Sequence, residues 1–257
     1  MRIDFHTHGK WTKQTEFSLP YFEEMIENAR DAGLNATALT EHFNTHHFYD
    51  VMQTLDAKYP YIGDHYDVDG FKIFTGIEID VKEGGHILFI GPRTSIQDIR
   101  SKLDDYTEKN HFIPFSELMK LAKGHPLLKI GAHPLRDSNP LTELNLEQLS
   151  QLDAFDLNGR DLFRQGFEQT QINVAKFAEN VGKPVVCGSD THLPIQFGAV
   201  FNDFDQDCQT ALELKAAIKE RAYRVGISPV LKTRVGAADM LKEVWKKNKD
   251  NHSLTSV

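Results

Sequence analysis

Cysteine is almost missing: two residues, Cys187 and Cys208, in a chain of 257. A chain of this size can bury a core without covalent staples, so both are expected as reduced thiols in a cytoplasmic setting. Long apolar runs are missing too. No stretch approaches the roughly 18 uninterrupted apolar residues of a membrane-spanning helix, and the opening Met-Arg-Ile-Asp-Phe-His-Thr-His lacks the apolar run of a signal peptide. Secretion and a membrane partner are therefore not expected. Basic charge is also short: 29 Lys and Arg against 37 Asp and Glu leave a formal charge of −8. Coating extended nucleic acid or an anionic membrane takes clustered Lys and Arg, so neither is an expected partner, and a phosphate-bearing ligand would need a local positive site. Linkers rich in Pro, Gly or Ser, internal repeats and low-complexity segments are absent. That predicts one domain over residues 1–257. Oligomeric state has no signature.

What is present is an alternation of short apolar runs with amphipathic stretches, the sequence form of repeated β-α units. Strands are expected at 1–5, 35–40, 71–77, 85–90, 127–132, 154–157 and 184–188. Helices are expected at 20–32, 96–106, 114–122, 144–152, 161–181 and 211–220, with a last one near 235–245 and a fraying tail from Lys242. In the first helix Tyr21, Met25, Ile26 and Ala29 share a face and Gly33 is the stop. Roughly six or seven β-α units emerge, so the expected fold class is α/β. Residues 59–70 read as a surface excursion, and 43–66 and 202–209 as loops able to set specificity.

Chemistry recurs at the ends of these strands. His6 and His8 follow the first, Glu41-His42 the second, Glu78 and Asp80 the third, His133 and Arg136 the strand ending at 132, Arg160 the next, and Asp190 and His192 the strand ending at 188, while His86 opens its strand. In α/β folds the carboxyl ends of strands are where active sites are built. A lone histidine there is commonly a hydrogen-bonded rim residue; recurrence at strand after strand is what points to a site. Imidazoles and carboxylates without thiolates suit Zn²⁺, Mn²⁺ or Fe²⁺. His6, His8, His42, Glu78, His86, His133, Asp190 and His192 outnumber the about three or four protein ligands of one catalytic ion, which predicts two or three divalent ions with Glu78 as a bridge. His46, His47, His65, His111, His125 and His252 fit no strand end and are expected at the surface.

Five ordered motifs then carry a resemblance: Asp4-Phe5-His6-Thr7-His8, Thr40-Glu41-His42, Gly76-Ile77-Glu78 with Gly85-His86, Gly131-Ala132-His133-Pro134, and Gly188-Ser189-Asp190-Thr191-His192. Together they resemble the PHP (polymerase and histidinol phosphatase) family of metal-dependent phosphoesterases. The resemblance implies a distorted (β/α)7, TIM-like barrel with the metals at the carboxyl end of its strands. It implies one ion on His6, His8, Glu78 and Asp190, a second on Glu78, His86 and His133, and a third on His42 and His192. The third site departs from the pattern: relatives usually supply another His or Asp beyond the first motif, where this chain has residues 10–15 and then Glu16 as the nearest candidate.

The chemistry that follows is hydrolysis of a small phosphomonoester by a hydroxide formed between two ions. Arg136 and Arg160 would grip the phosphate, and Asp190 or His192 would protonate the leaving oxygen. The alternatives are a nucleotide or oligonucleotide phosphodiesterase, a phosphotyrosine phosphatase, a histidinol-phosphatase-like activity, and a metal-binding regulatory domain without turnover.

Overall fold

The computed structural model describes residues 1–253; for 246 and 248–253 it describes the helical backbone alone. The chain runs β1 (Arg2–Thr7), α1 (Leu19–Asp31), β2 (Ala36–Leu39), α2 (Phe48–Lys58), β3 (Tyr61–Ile62), β4 (His65–Val68), β5 (Phe71–Asp80), β6 (His86–Ile90), α3 (Arg93–Ser101), α4 (Phe115–Leu121) and β7 (Leu128–Ala132). It continues through α5 (Leu146–Leu149), β8 (Ala154–Asn158), α6 (Gly159–Arg164), α7 (Phe167–Val181), β9 (Val185–Gly188), β10 (Val200–Phe204), α8 (Ala211–Glu220), β11 (Tyr223–Ile227) and α9 (Leu231–Ser253). No helix among the described residues is long and apolar enough to cross a membrane.

Strands β1, β2, β5, β6, β7, β8 and β9 stand side by side in that order. Thr7 bridges Thr191 just past β9, so the two ends of the row nearly meet in a barrel. The expected distorted β/α barrel is thus present, and its distortion has two sources. β6 runs antiparallel to both β5 and β7 while the remaining neighbours in the row pair in parallel. At the seam, β1 and β9 are joined by a side chain: buried Asn202 of β10 donates to the carbonyls of Ile3 (3.1 Å) and Cys187 (2.8 Å), and its Oδ1 accepts from Cys187 N (2.8 Å). A side-chain amide carries one donor pair and one acceptor, which is what three facing backbone groups require.

The helices follow from local chemistry. Ser18 caps α1 by accepting from Tyr21 N, Pro20 sits in its first turn, and Phe22, Met25, Ile26 and Ala29 form the buried face. Phe22 takes the core position expected of Tyr21, because Tyr21 turns its hydroxyl toward the loop after β9. The long helix expected over 161–181 is two helices. The chain breaks at Gly166, whose φ of +96° only glycine adopts readily, and α6 therefore starts directly at the end of β8, with the Asn158 side chain accepting from Arg160 N. Residues 59–70 are not a surface excursion: β3 and β4 form a hairpin that extends the sheet along the first half of β5, and Tyr66 and Val68 are buried by it. His65, expected at the surface, lies in β4 at 2% exposure. The expected loop over 43–66 contains α2, and that over 202–209 begins inside β10.

The last helix is longer than 235–245. Leu231 and Val235 are buried among Leu157, Leu162 and Cys187, Ala238 is buried as well, and together they anchor it; beyond Lys242, where fraying is expected, it continues to Ser253. Residues 254–257, and the side chain of His252, lie outside the described residues.

Candidate metal centre

Side chains alternate along a strand, so Asp4 and His6 share one face of β1 while Ile3 and Phe5 take the other. The loop after β9 is zipped onto that strand: Asp190 N and Thr191 N donate to the His6 carbonyl, and His8 N donates to the Thr191 carbonyl. Gly188 permits this approach, since a Cβ there would lie 2.4 Å from the Cβ of His6. Asp4, fully buried, accepts from His6 N and Ser189 N. The exit of β2 is tied to β5 by Phe43 N to the Glu78 carbonyl and Glu78 N to the Glu41 carbonyl. Because β6 is antiparallel, its first residue stands at the rim where its neighbours end, and His86 lies in register with Asp80 and Ala132. Two residues of the rim, His133 (φ +31°) and Asp190 (φ +57°), hold left-handed backbone that bulky side chains seldom adopt, a form of strain that concentrates at functional sites.

These backbones converge on Glu78. Its Oε1 faces His6 Nε2 at 3.3 Å, His133 Nε2 at 3.5 Å and His86 Nδ1; its Oε2 faces His42 Nδ1 at 2.6 Å and His8 Nε2 at 3.6 Å. Asp190 Oδ1 lies 3.3 Å from His8 Nε2 and 3.8 Å from His6 Nε2. The rings of His8 and His192 stack at 4.1 Å. The structure therefore brings together all eight residues expected as ligands.

The donor set fits divalent ions. His6 Nε2, His8 Nε2 and both His133 nitrogens are buried without a hydrogen-bond partner, and buried polar atoms in that state are costly unless something coordinates them. At this centre three groups offer ligand atoms within 4.8 Å of one another: His6, Glu78 and His133; His6, His8 and Asp190; and His8, His42 and His192; a fourth, Glu16, His46 and His47, lies apart on the exposed surface. The charge states of the two carboxylates and of His133 suit a metal. Burial alone would push Glu78 up, but the imidazoles of His86, His42 and His6 hold it well below the usual carboxylate range. Asp190 is likewise kept ionised, against burial, by the Arg136 guanidinium and the imidazoles of His8 and His6. Burial, with the Arg136 charge, holds His133 well below its ordinary value and so in the neutral form that binds a metal. His86 is raised to about 9, because Glu78 and Asp80 outweigh its burial.

Behind the imidazoles stand three carboxylates: Glu41 and Asp80, which the strand ends had marked without a role, and Asp156, which the sequence pattern missed. Asp156 Oδ2 is 3.3 Å from His6 Nδ1, Glu41 Oε1 is 3.6 Å from His8 Nδ1, and Asp80 Oδ1 is 2.8 Å from His86 Nε2. A carboxylate on the far ring nitrogen orients a ligating histidine. The available signal was an acid inside an apolar strand, as in Ala-Phe-Asp-Leu-Asn of β8. The two arginines divide. Arg136 spends three nitrogens on protein oxygens: Nε on Asp161 (2.8 Å), Nη1 on Asp190 (2.9 Å) and Nη2 on Asn158 (3.0 Å). Arg160 has its nearest carboxylate, Asp239, at 4.0 Å. Glu16 is not brought to the centre. It lies at the surface, 3.4 Å from His46 and 3.1 Å from His47, because residues 10–15 lead it outward.

A model of the PHP domain matches residues 4–223. The chain belongs to the PHP family. As a PHP-domain protein it is a hydrolase of phosphate esters, and the histidine and carboxylate cluster offers the ligand set of a divalent-metal centre. Comparison with curated proteins finds no match. Among solved structures the chain is similar to PsfC from Pseudomonas syringae PB-5123, with TM-score 0.76 and 19% identity over 95% of this chain and 98% of that one. It is also similar to the lesion-specific endonuclease Q of Pyrococcus furiosus, with TM-score 0.62 and 20% identity over 87% of this chain and 57% of that one. A complex of endonuclease Q with a 27-mer duplex bearing an abasic lesion gives TM-score 0.63 and 21% identity, covering 85% of this chain and 56% of that one. The PHP chain thus spans little more than half the length of endonuclease Q. At these identities the likeness is one of fold.

Proposed function

We propose that this protein hydrolyses a small phosphomonoester, with residues 1–257 acting as one catalytic unit in the cytoplasm. The observation that carries the reading is the entrance to the centre. A cavity of about 420 Å³ opens onto His42, Glu78, His86, Asp190 and His192, and α9 places Lys242 and Trp245 in its wall. That volume suits a small molecule.

The residues that would hold two or three ions of Zn²⁺, Mn²⁺ or Fe²⁺ are His6, His8, His42, Glu78, His86, His133, Asp190 and His192. Bound there, such ions polarise phosphoryl oxygens and lower the pKa of water. The chain's own residues do the rest. Arg160, set in the cavity wall, offers its N–H groups to phosphate oxygens. Arg136 acts through Asp190, fixing one carboxylate oxygen so that the other faces the imidazoles. The proton lost by the attacking water goes to the leaving oxygen as the P–O bond breaks, relayed by Asp190 or His192 in the cavity wall. His192 lies beside Asp190 in the wall, its Nδ1 directed to the Asp190 carbonyl at 3.1 Å.

Purified protein supplied with Mn²⁺ is expected to release phosphate from a panel of monoesters, and chelation or His133→Ala is expected to lower the rate about a hundredfold or more. Equal turnover by the variant and the wild type would overturn the reading. The likeness to endonuclease Q favours one second reading, cleavage of a nucleotide or oligonucleotide diester. Cleavage of a single-stranded or abasic duplex oligonucleotide faster than release from any monoester would select it.

A further inference from the structure

The chain has two tryptophans, and both line the cavity described above, which opens onto the metal centre. Trp11 follows the first motif, whereas Trp245 lies on α9, beyond the residues that the family model matches. Their ring centroids are 6.1 Å apart with planes inclined by 38°. On its other side Trp11 stacks on Tyr21 at 6.4 Å and 30°, and the Tyr21 hydroxyl donates to the His192 carbonyl at 2.6 Å. The aromatic row is therefore anchored to the loop that carries Asp190 and His192. α9 is anchored as well, through buried Leu231, Val235 and Ala238 and the Arg164–Asp239 pair at 2.8 Å. Trp11 also keeps its indole Nε1 buried without a hydrogen-bond partner, an unusual state for a donor that commonly finds one. Packing of α9 against the barrel would be served by aliphatic side chains, as it is at Leu231 and Val235. Placing two indoles in the wall of a polar cavity, with Arg160 beside them, matches the two ends of a phosphate ester of a planar ring: a charge to be met by cations and a π-face to be stacked.

We propose that Trp11 and Trp245 form a binding subsite for a planar aromatic group, so that the ester hydrolysed is an aryl phosphate or a nucleoside monophosphate with its ring against the indoles. This deepens the phosphomonoesterase reading and rests on it. Water adds to phosphorus, the P–O bond to the ring-bearing alcohol breaks, and the proton removed from water goes to that oxygen, giving inorganic phosphate and a phenol or nucleoside.

The test compares kcat/KM of the full-length Mn²⁺-loaded protein for phenyl phosphate, a nucleoside 5′-monophosphate and glycerol 3-phosphate in wild type, Trp245→Leu and Trp245→Phe. Loss of a stacked ring is expected to lower the aromatic-to-aliphatic selectivity about tenfold or more in Trp245→Leu, through KM, with most of it restored in Trp245→Phe. Which aromatic ester is favoured tells phenyl from nucleobase. A selectivity unchanged by both variants, or absent from the wild type, overturns the subsite. Quenching of tryptophan fluorescence by phenol or adenosine, but not by glycerol, is read in parallel on the same protein. Aromatic quenching lost in Trp245→Leu without phosphate release from any ester would sink the hydrolase reading and leave the subsite standing. Release from all esters alike, without such quenching, would do the reverse.

Discussion

An imidazole coordinates through one ring nitrogen, and the partner of the other nitrogen decides its tautomer and its aim. At His6 that partner is Asp156, at 1% exposure, which in turn accepts from Asn158 Nδ2 at 3.0 Å. Asp156→Asn keeps shape and burial while removing the charge. It is expected to weaken metal affinity by about 10- to 100-fold, read by competition against a chromogenic chelator, and unchanged affinity would remove Asp156 from the site. His65 illustrates a different residue-scale effect. Burial holds its pKa below the ordinary value of 6.5, and its Nδ1 faces the Gln209 carbonyl at 3.2 Å. On acidification the unfolded chain takes up the proton first, so the neutral buried ring contributes stability that is present above pH 6.5 and lost as pH falls from there toward the lower folded value. Between about pH 7.5 and 5.5 the urea midpoint of the wild type is expected to drop more than that of His65→Asn; parallel profiles would contradict this. The spacing of the histidines could not show it, because His65 is buried by the hairpin that β4 makes with β5 across Asp69-Gly70 and by the Gln209 carbonyl, which lies far away in sequence.

At the scale of elements, strands with apolar runs and helices with a clear face were legible, and their polar ends pointed to the rim. What escaped were pieces whose identity depends on a distant partner. β10 reads Val-Phe-Asn-Asp-Phe, and its inward row of Val200, Asn202 and Phe204 has a polar residue at the centre. That residue is polar because β1 and β9 leave three backbone groups to be satisfied at the seam, which no single strand discloses. Asn202→Ala is expected to cost about 3 kcal/mol, since those buried groups lose their partners, measured as a shift of the urea midpoint with the slope unchanged. A loss below about 1 kcal/mol would mean that β1 and β9 close on each other without the amide. The break at Gly166 was hidden for another reason: the apolar periodicity of α7 runs on from α6, and only the need to seat Arg160 and Asp161 at the rim explains the interruption. The antiparallel run of β6 was signalled by His86 standing at the start of its strand rather than at the end.

At the scale of the whole molecule, the metal motifs were legible because ligand chemistry restricts residue type at strand ends, whereas the carboxylates behind them and the wall made by α9 depend on how distant elements meet. Ligands come from β1, the exits of β2, β5, β7 and β9, and the start of β6. Cations bound there cross-link strands far apart in the chain, and the unfolded chain offers no such arrangement. Occupancy and folding are therefore linked: a ligand that binds only the folded state stabilises it by about 2.7 kcal/mol at a hundred times its dissociation constant. For a chain of this size such a gain corresponds to a rise in melting temperature of about 5 °C or more. Titrating Mn²⁺ into chelator-treated protein is expected to produce that rise, and His133→Ala to shift the whole response to higher Mn²⁺. A melting temperature indifferent to both Mn²⁺ and chelator would mean that these imidazoles and carboxylates satisfy one another without cations, a result at odds with the unpartnered ring nitrogens of His6, His8 and His133.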